Sequence, residues 1–185
     1  YIIPGFRDSN KQVSYKKIAG YFKSKGIEPI PIDISWKYRT MSDYLEEFNY
    51  KYRDGKEVYL LGFSLGAMIA MISSAKINPK MQILCSLSPY FKEDLPHLRE
   101  WGKQLVGKRR MDDFKNYSFN EISSKTNCKT ILLVGSREPR DVIKRVNDAH
   151  KRLNGSRLVT IENIGHDIFN KKYQDALEDI ISKLN

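Results

Sequence analysis

Residues 62–66 read G-F-S-L-G, a spacing in which the central serine hydroxyl can act as a nucleophile. An apolar strand pattern at 58–61 leads into this stretch, and an apolar helical pattern at 67–72 follows it. The glycines two positions before and after Ser64 keep side chains out of the place where strand and helix come close. The order of strand, tight turn and helix therefore predicts a strained serine whose hydroxyl projects from a sheet.

A serine hydroxyl needs a base to take its proton, and the histidines are the candidates. His166 follows an apolar strand pattern at 157–161 after a short loop. His150 lies in a helical pattern beside basic residues, which is typical of a solvated surface, and His97 follows a proline in an irregular segment. We therefore predict that His166 is the base for Ser64.

The base in turn needs a carboxylate that holds its tautomer and stabilises its charged form. Two carboxylates compete in the loop after the apolar strand pattern at 131–134. Glu138 directly precedes a proline that stiffens this loop. Asp141 lies three residues further on, where it could instead cap a helix beginning at Val142. We prefer Glu138 as the third member of the triad and keep Asp141 as the alternative acid.

Acyl transfer also needs hydrogen-bond donors for the negatively charged oxygen of the tetrahedral intermediate. The backbone N–H after the nucleophile belongs to Leu65, at the start of a predicted helix whose dipole favours negative charge there. A second donor should come from the loop after the first strand, and we expect it to be the N–H of Phe6. Pro4 and Gly5 by themselves indicate only a turn, and it is the position of this loop after the first strand that suggests an oxyanion donor.

Strand and helix patterns alternate along the whole chain, and together they favour an α/β fold in three layers. Strands are expected at 1–3, 27–34, 57–61, 81–87, 130–134 and 157–161, and helices at 13–25, 41–52, 65–77, 142–153 and 171–184. About six strands alternating with helices indicate a mostly parallel sheet. The carboxyl ends of parallel strands meet at one edge, so the loops carrying Ser64, Glu138 and His166 should converge there.

The composition is that of an ordinary globular protein, and 185 residues suit a single domain spanning 1–185. No apolar run approaches the ~20 residues of a membrane helix, and we expect a cytoplasmic protein. The sequence opens at Tyr1 within an apolar strand pattern and leaves open whether residues or a leader precede it.

Cys85 and Cys128 lie in or beside apolar strand patterns, which favours two reduced, buried thiols. The three histidines form no cluster, so neither a metal nor another cofactor is expected.

The formal net charge of +10 raises the question of which partners this protein attracts. Its densest basic cluster, residues 108–110, is short, and we interpret it as a solvated loop. Aromatic residues do not alternate with the basic ones, and we expect no nucleic-acid partner. The charge favours a small-molecule substrate that is anionic, while the oligomeric state stays unknown.

Together these residues resemble a small α/β-hydrolase, because the chain order of serine, acid and histidine is kept as Ser64, Glu138 and His166. The resemblance covers nearly the whole chain. Members of this family usually have two further strands before the oxyanion strand, and their absence from this sequence implies a compact member of the family. The sequence departs from the family pattern at Pro4-Gly5, where His-Gly is common, and in the use of glutamate as the acid.

The resemblance implies a serine hydrolase that cleaves a small or medium ester or thioester through an acyl-enzyme intermediate. An acyltransferase or carbon–carbon bond hydrolase with the same triad, and a catalytically silent binding protein of the same fold, remain alternatives. Family lids are usually inserted near residue 87, so residues 88–127 are expected to include a small lid or irregular segment. Ser88, Tyr90 and Phe91 are candidate substrate-binding residues, with core packing as an equal alternative for the aromatic ones.

Overall fold

A five-stranded parallel sheet lies at the centre of the protein, in the strand order β1-β2-β3-β4-β5. The computed structural model describes residues 1–55 and 57–184. The strands are Ile2–Ile3 (β1), Tyr59–Phe63 (β2), Met81–Cys85 (β3), Lys129–Gly135 (β4) and Arg157–Ile161 (β5). Each neighbouring pair is parallel, so the carboxyl ends of these strands meet at one edge. The predicted parallel sheet is confirmed.

Helices cover both faces of this sheet. The longer ones are Val13–Ser24 (α1), Met41–Lys51 (α2), Leu65–Ile77 (α3), Arg140–Arg152 (α7) and Lys171–Ser182 (α8). Residues of α1 and α8 share one apolar core, and residues of α2, α3 and α7 share another. Successive strand residues alternate between the two cores, as Leu60 and Leu61 show. Burial on both faces explains why the central strands β2, β3 and β4 read as mostly apolar runs in the sequence.

The sixth strand predicted at 27–34 is the main difference from the sequence analysis. This segment forms an isolated bridge, in which Pro31 pairs with Ile2 beside β1. The N–H of Ile2 donates to Ile30 at 3.0 Å, and the N–H of Ile32 donates to Ile2 at 2.9 Å. Pro29 and Pro31 lack N–H groups, so the hydrogen-bond ladder does not extend and the prediction of a full strand was wrong.

The segment after β3 contains more helix than the sequence pattern indicates. It holds Glu100–Val106 (α4), Lys108–Phe114 (α5) and Phe119–Ser124 (α6), and a 3₁₀ turn at Leu95–His97. These helices are six or seven residues long, too short for a helical period to show in the sequence. The interpretation of residues 108–110 as a loop was therefore wrong, because they begin α5.

Two further expectations concern the membrane and the cysteines. Within the described residues, no helix is long and apolar enough to cross a bilayer. Both cysteines are free thiols, as predicted. Cys85 is fully buried, and this burial raises the pKa of its thiol. Cys128 is only partly buried, because it precedes β4 rather than lying within it.

Candidate active site

Ser64 lies on the tight turn between β2 and α3, with φ 56° and ψ −119°. A positive φ is unfavourable for a residue with a side chain, and such strain is typical of functional sites. A Cβ atom on Gly62 would lie 2.3 Å from the carbonyl oxygen of Gly66. A Cβ atom on Gly66 would lie 2.3 Å from carbonyl oxygens at the end of β1. The strained geometry predicted from the glycine spacing is therefore present, and only glycine fits at either flanking position.

The imidazole of His166 bridges Ser64 and Glu138. Its Nε2 lies 2.9 Å from the Oγ of Ser64, and its Nδ1 lies 2.6 Å from the Oε2 of Glu138. The Glu138 side chain is fully buried, whereas a third of the His166 side chain is exposed. The ring of Phe63 supports the imidazole, with 4.8 Å between ring centroids. This geometry can pass the proton of the serine hydroxyl to the imidazole while the carboxylate holds the opposite ring nitrogen.

Glu138, and not Asp141, is the carboxylate that contacts the histidine. The turn after β4 places its Oε1 3.2 Å from the N–H of Gly135. Asp141 lies in the first turn of α7, which begins at Arg140, and Pro139 occupies the N-cap position. The interpretation of Asp141 as an N-cap was therefore wrong. A proline has no N–H that needs a partner, so it suits the start of a helix two residues earlier than the apolar pattern indicates.

Two hydroxyl groups missed by the sequence analysis hold the Glu138 carboxylate in place. The Oγ of Ser86 donates to the Oε1 of Glu138, and the hydroxyl of Tyr173 lies 2.9 Å from the same Oγ. Both residues are fully buried, and burial raises the pKa of Tyr173, which keeps its hydroxyl neutral. The position of Ser86 just after β3 is a signal that could have identified it. Tyr173 lies inside α8, where nothing in the sequence marks it.

We expect Ser86→Ala to reduce kcat roughly ten- to hundredfold with little change in KM, because small displacements of a positioned group are costly. Without the Ser86 donor, the carboxylate can rotate away from His166. Steady-state kinetics on a p-nitrophenyl ester measure this split. Ser73→Ala is the matched control, since Ser73 is also a buried serine and its Oγ has no hydrogen-bond partner within the described residues. An equal loss in both variants, or a loss confined to KM, would contradict the positioning role.

The backbone amides expected to bind the oxyanion border the same cavity as Ser64. Leu65 is the first residue of α3, and Phe6 follows the end of β1. Both residues line the cavity that also contains Ser64 and His166. Within residues 1–55 and 57–184, no protein acceptor is bonded to either N–H group. The structure thus brings both sequence-predicted residues to the serine.

The loop that carries Phe6 is held by polar contacts that the sequence did not predict. The N–H of Gly5 donates to the hydroxyl of Tyr15 at 3.0 Å, and that hydroxyl donates to the Oδ2 of Asp8 at 2.8 Å. The indole N–H of Trp36 donates to the carbonyl of Asp8 at 3.2 Å. Partial burial raises the pKa of Asp8, although the Tyr15 hydroxyl and His166 oppose this shift. These contacts fix the loop although it lacks the His-Gly of the family pattern.

Solved structures show the same arrangement of strands and helices. Est1E from Butyrivibrio proteoclasticus matches with a TM-score of 0.81 at 15% identity, over 98% of this chain and 86% of that chain. The esterase EaEST from Exiguobacterium antarcticum matches with a TM-score of 0.70 at 16% identity, over 98% and 89%. MGS-MChE2, an α/β hydrolase enzyme from a sediment metagenome of the Mar Chica lagoon in Morocco, gives 0.69 at 16% identity, over 98% and 89%. This chain has the α/β-hydrolase fold.

The α/β-hydrolase fold was the prediction from the sequence, and it is confirmed. No protein-family model and no curated protein matches the chain. The likeness therefore rests on the path of the backbone, and at 15–16% identity it establishes the fold alone. The chemistry of the site depends on its own residues, because one fold can serve many functions.

In this α/β-hydrolase fold, a cavity of about 190 Å³ opens beside Ser64. Ser88 also lines this cavity, and its Oγ lies 3.3 Å from the Oγ of Ser64. Most of its wall is apolar and includes Tyr90, Leu98, Trp101, Leu105, Val106 and Val142. Asp141 adds a carboxylate to this wall. A cavity of this size and character fits an acyl group of small or medium size.

The three candidate substrate-binding residues have different positions. Ser88 and Tyr90 border the cavity, and the Tyr90 hydroxyl donates to the carbonyl of Gly102 at 3.3 Å. Burial raises the pKa of Tyr90 to about 12, so it is neutral at physiological pH. Phe91 is fully buried outside the cavity, in edge contact with the ring of Phe119 at 5.2 Å. The core-packing alternative therefore describes Phe91.

Proposed function

We propose that this protein is a serine hydrolase that cleaves a small or medium ester or thioester through an acyl-enzyme intermediate. The observation that carries this proposal is the hydrogen-bonded line from Glu138 through His166 to Ser64. One structural neighbour, EaEST from Exiguobacterium antarcticum, is an esterase, which agrees with this class of reaction. The apolar cavity beside the serine supports an acyl group as its occupant.

The proposed reaction begins when the Oγ of Ser64 attacks the carbonyl carbon of the ester. His166 takes the hydroxyl proton at Nε2, and Glu138 stabilises the resulting imidazolium through Nδ1. The former carbonyl oxygen carries the negative charge and accepts hydrogen bonds from the N–H groups of Leu65 and Phe6. When the tetrahedral intermediate collapses, the bond to the leaving group breaks and His166 protonates the departing oxygen or sulfur.

The second half of the reaction regenerates the enzyme. A water molecule attacks the carbonyl carbon of the acyl-enzyme while His166 again accepts a proton at Nε2. The bond between this carbon and the Oγ of Ser64 then breaks, and the proton returns to the serine. The carboxylic acid leaves the cavity, and no cofactor takes part in either half.

The acyl group is proposed to occupy the apolar cavity. Leu98, Trp101 and Leu105 in its wall come from residues 88–127, so we assign this segment the role of a small lid within a single domain. Est1E has been solved with ferulic acid bound. Tyr90 and Trp101 give the present cavity aromatic walls as well, which makes a feruloyl ester a useful member of the substrate series.

We expect a fluorophosphonate probe to label the folded protein at Ser64, because such probes react with a serine whose proton is taken by a neighbouring base. Peptide mass spectrometry would locate the label. The matched control is Ser88→Ala, which removes the nearest other hydroxyl and should leave labelling intact. Failure of the folded wild-type protein to react would favour the silent binding protein.

Product analysis separates hydrolysis from the remaining alternatives. With p-nitrophenyl butyrate and a competing alcohol, a hydrolase should release butyrate as its main product. An acyltransferase would release the butyryl ester of the alcohol instead. Turnover restricted to a diketone substrate, with none on esters or thioesters, would identify a carbon–carbon bond hydrolase.

A further inference from the structure

A second cavity, of about 680 Å³, lies next to the proposed acyl cavity, and its lining is strongly basic. Phe6 and Val106 border both cavities, so the two are neighbours at the site. Its basic lining residues are Arg7, Lys37, Arg39, Lys108, Arg109 and Arg110. No acidic residue lines this cavity within the described part of the chain.

Two of these six positive charges, Arg109 and Arg110, are held by neutral groups. The guanidinium of Arg110 donates to the Tyr44 hydroxyl at 2.8 Å and to the carbonyls of Val106 and Trp36 at 2.9 and 2.6 Å. Arg109 donates to a backbone carbonyl at 3.1 Å. Among the salt bridges of the described residues, Arg39 alone of this set pairs with a carboxylate, at 3.6 Å. Arg39 and Arg109 also lower the pKa of Asp43, and Lys108 that of Asp112, so six cations face three nearby carboxylates and an excess of positive charge remains.

The geometry distinguishes this cavity from an ordinary solvated surface. Three hydrogen bonds fix Arg110, and its guanidinium lies 5.0 Å from the centre of the Phe6 ring. Arg7 lies over the same ring at 5.0 Å. Phe6 also supplies a proposed oxyanion donor, so the basic cavity begins next to the reacting carbonyl. The three bonds use three of the five N–H groups of Arg110, and the two that remain can donate to a phosphate group.

The two cavities differ in the charge that they accept. Asp141 adds a negative charge to the acyl cavity, which disfavours an anionic group on the acyl side. The basic cavity lies beyond Phe6 and is larger, so it suits the alcohol or thiol part of the substrate. We propose that the basic cavity binds a phosphate group on the leaving-group side, and that the substrates are acyl esters or thioesters of phosphorylated alcohols or thiols. This inference rests on the proposed function and names its substrate class.

Matched substrates test this proposal. The pairs are 1-butyrylglycerol with its 3-phosphate, and S-butyrylpantetheine with its 4′-phosphate. We expect kcat/KM to be about tenfold higher for the phosphorylated member of at least one pair, mainly through KM. The preference should shrink as NaCl rises from about 20 mM to about 300 mM, because salt screens exposed charges. The pair with the larger preference reports how far the phosphate lies from the carbonyl.

A double substitution of cavity lysines connects the preference to this site. Lys37→Gln with Lys108→Gln removes two exposed positive charges from the cavity. Lys16→Gln with Lys17→Gln is the control, since it removes the same charge from exposed positions on α1, on the opposite face of the sheet. We expect the ratio of kcat/KM between phosphorylated and neutral substrates to fall about fivefold in the cavity variant, and to stay unchanged in the control.

Binding of inorganic pyrophosphate to the Ser64→Ala protein, measured by calorimetry, tests the site without requiring catalysis. The cavity substitutions should weaken this binding, whereas the control should not. Pyrophosphate binding with no ester turnover would overturn the proposed function but support the anion site. Turnover of neutral esters with no phosphate preference and no pyrophosphate binding would overturn the anion site alone. Equal losses of pyrophosphate affinity in the cavity variant and the control would show a general attraction between charges, and would also overturn the anion site.

Discussion

Ser64→Ala is expected to lower kcat/KM for p-nitrophenyl butyrate by a factor of about 10⁴ to 10⁶, the loss typical when a serine nucleophile is removed. The Oγ of Ser64 lies 2.9 Å from the Nε2 of His166, and no other hydroxyl is bonded to that nitrogen within the described residues. The alanine variant keeps the oxyanion amides and the cavity, so a small residual rate should persist. Steady-state kinetics on purified wild-type and variant protein measure the ratio.

Ser88→Ala is the control for this result, because Ser88 lies in the same cavity, 3.3 Å from the Ser64 hydroxyl. Its loss should cost no more than about tenfold, since it does not contact the base. The hydrogen bonds of the Ser64 hydroxyl are exposed or only partly buried, so its removal should leave thermal unfolding nearly unchanged. Equal turnover by wild-type and Ser64→Ala protein would contradict the serine mechanism and support the silent binding protein.

Glu138→Gln is expected to lower kcat by a factor of about 10³ to 10⁴ with a smaller effect on KM. The amide keeps the shape of the side chain but carries no charge to stabilise the imidazolium. It can also offer its NH₂ group to Nδ1, which would favour the wrong tautomer of His166. The effect should be large because the Glu138 side chain is fully buried and its Oε2 lies 2.6 Å from Nδ1.

Asp141→Asn is the matched control for the acid, since it makes the same chemical change at the competing carboxylate. Asp141 lines the acyl cavity but forms no hydrogen bond with His166 among the described residues. We expect its kcat on a neutral butyryl ester to change only a few-fold. A larger loss from Asp141→Asn than from Glu138→Gln would reverse the assignment of the acid.

Much of the fold could be predicted from the sequence because its signals are local. The glycine spacing around Ser64 requires a turn between a strand and a helix, and that turn is present. The apolar runs predicted β2, β3 and β4 because both faces of the sheet are buried there, whereas β5 at the edge is only partly buried. The prediction failed at 27–34, where two prolines limit pairing to one bridge. It also missed the short helices α4 to α6, which are too brief for a helical period to be recognised.

The candidate site also has features that the sequence predicted and features that only the structure shows. Chain order and loop position selected Ser64, His166 and Glu138 from the sequence, with Asp141 left open as the acid. Only the structure shows which of the two carboxylates contacts His166, because the contact depends on where α7 begins. Contacts between remote segments, such as Tyr173 on Ser86, leave no pattern in the sequence.

The basic cavity was likewise decided by tertiary structure. Its cations come from the loop after β1, from residues 37–39 and from the start of α5, and the sequence shows only the cluster at 108–110. Spacing and periodicity determined the strained serine and the alternation of strands and helices, since these depend on residues that are close together in the sequence. The charge of the cavity depends on the path of the backbone that brings separate segments to one edge of the sheet.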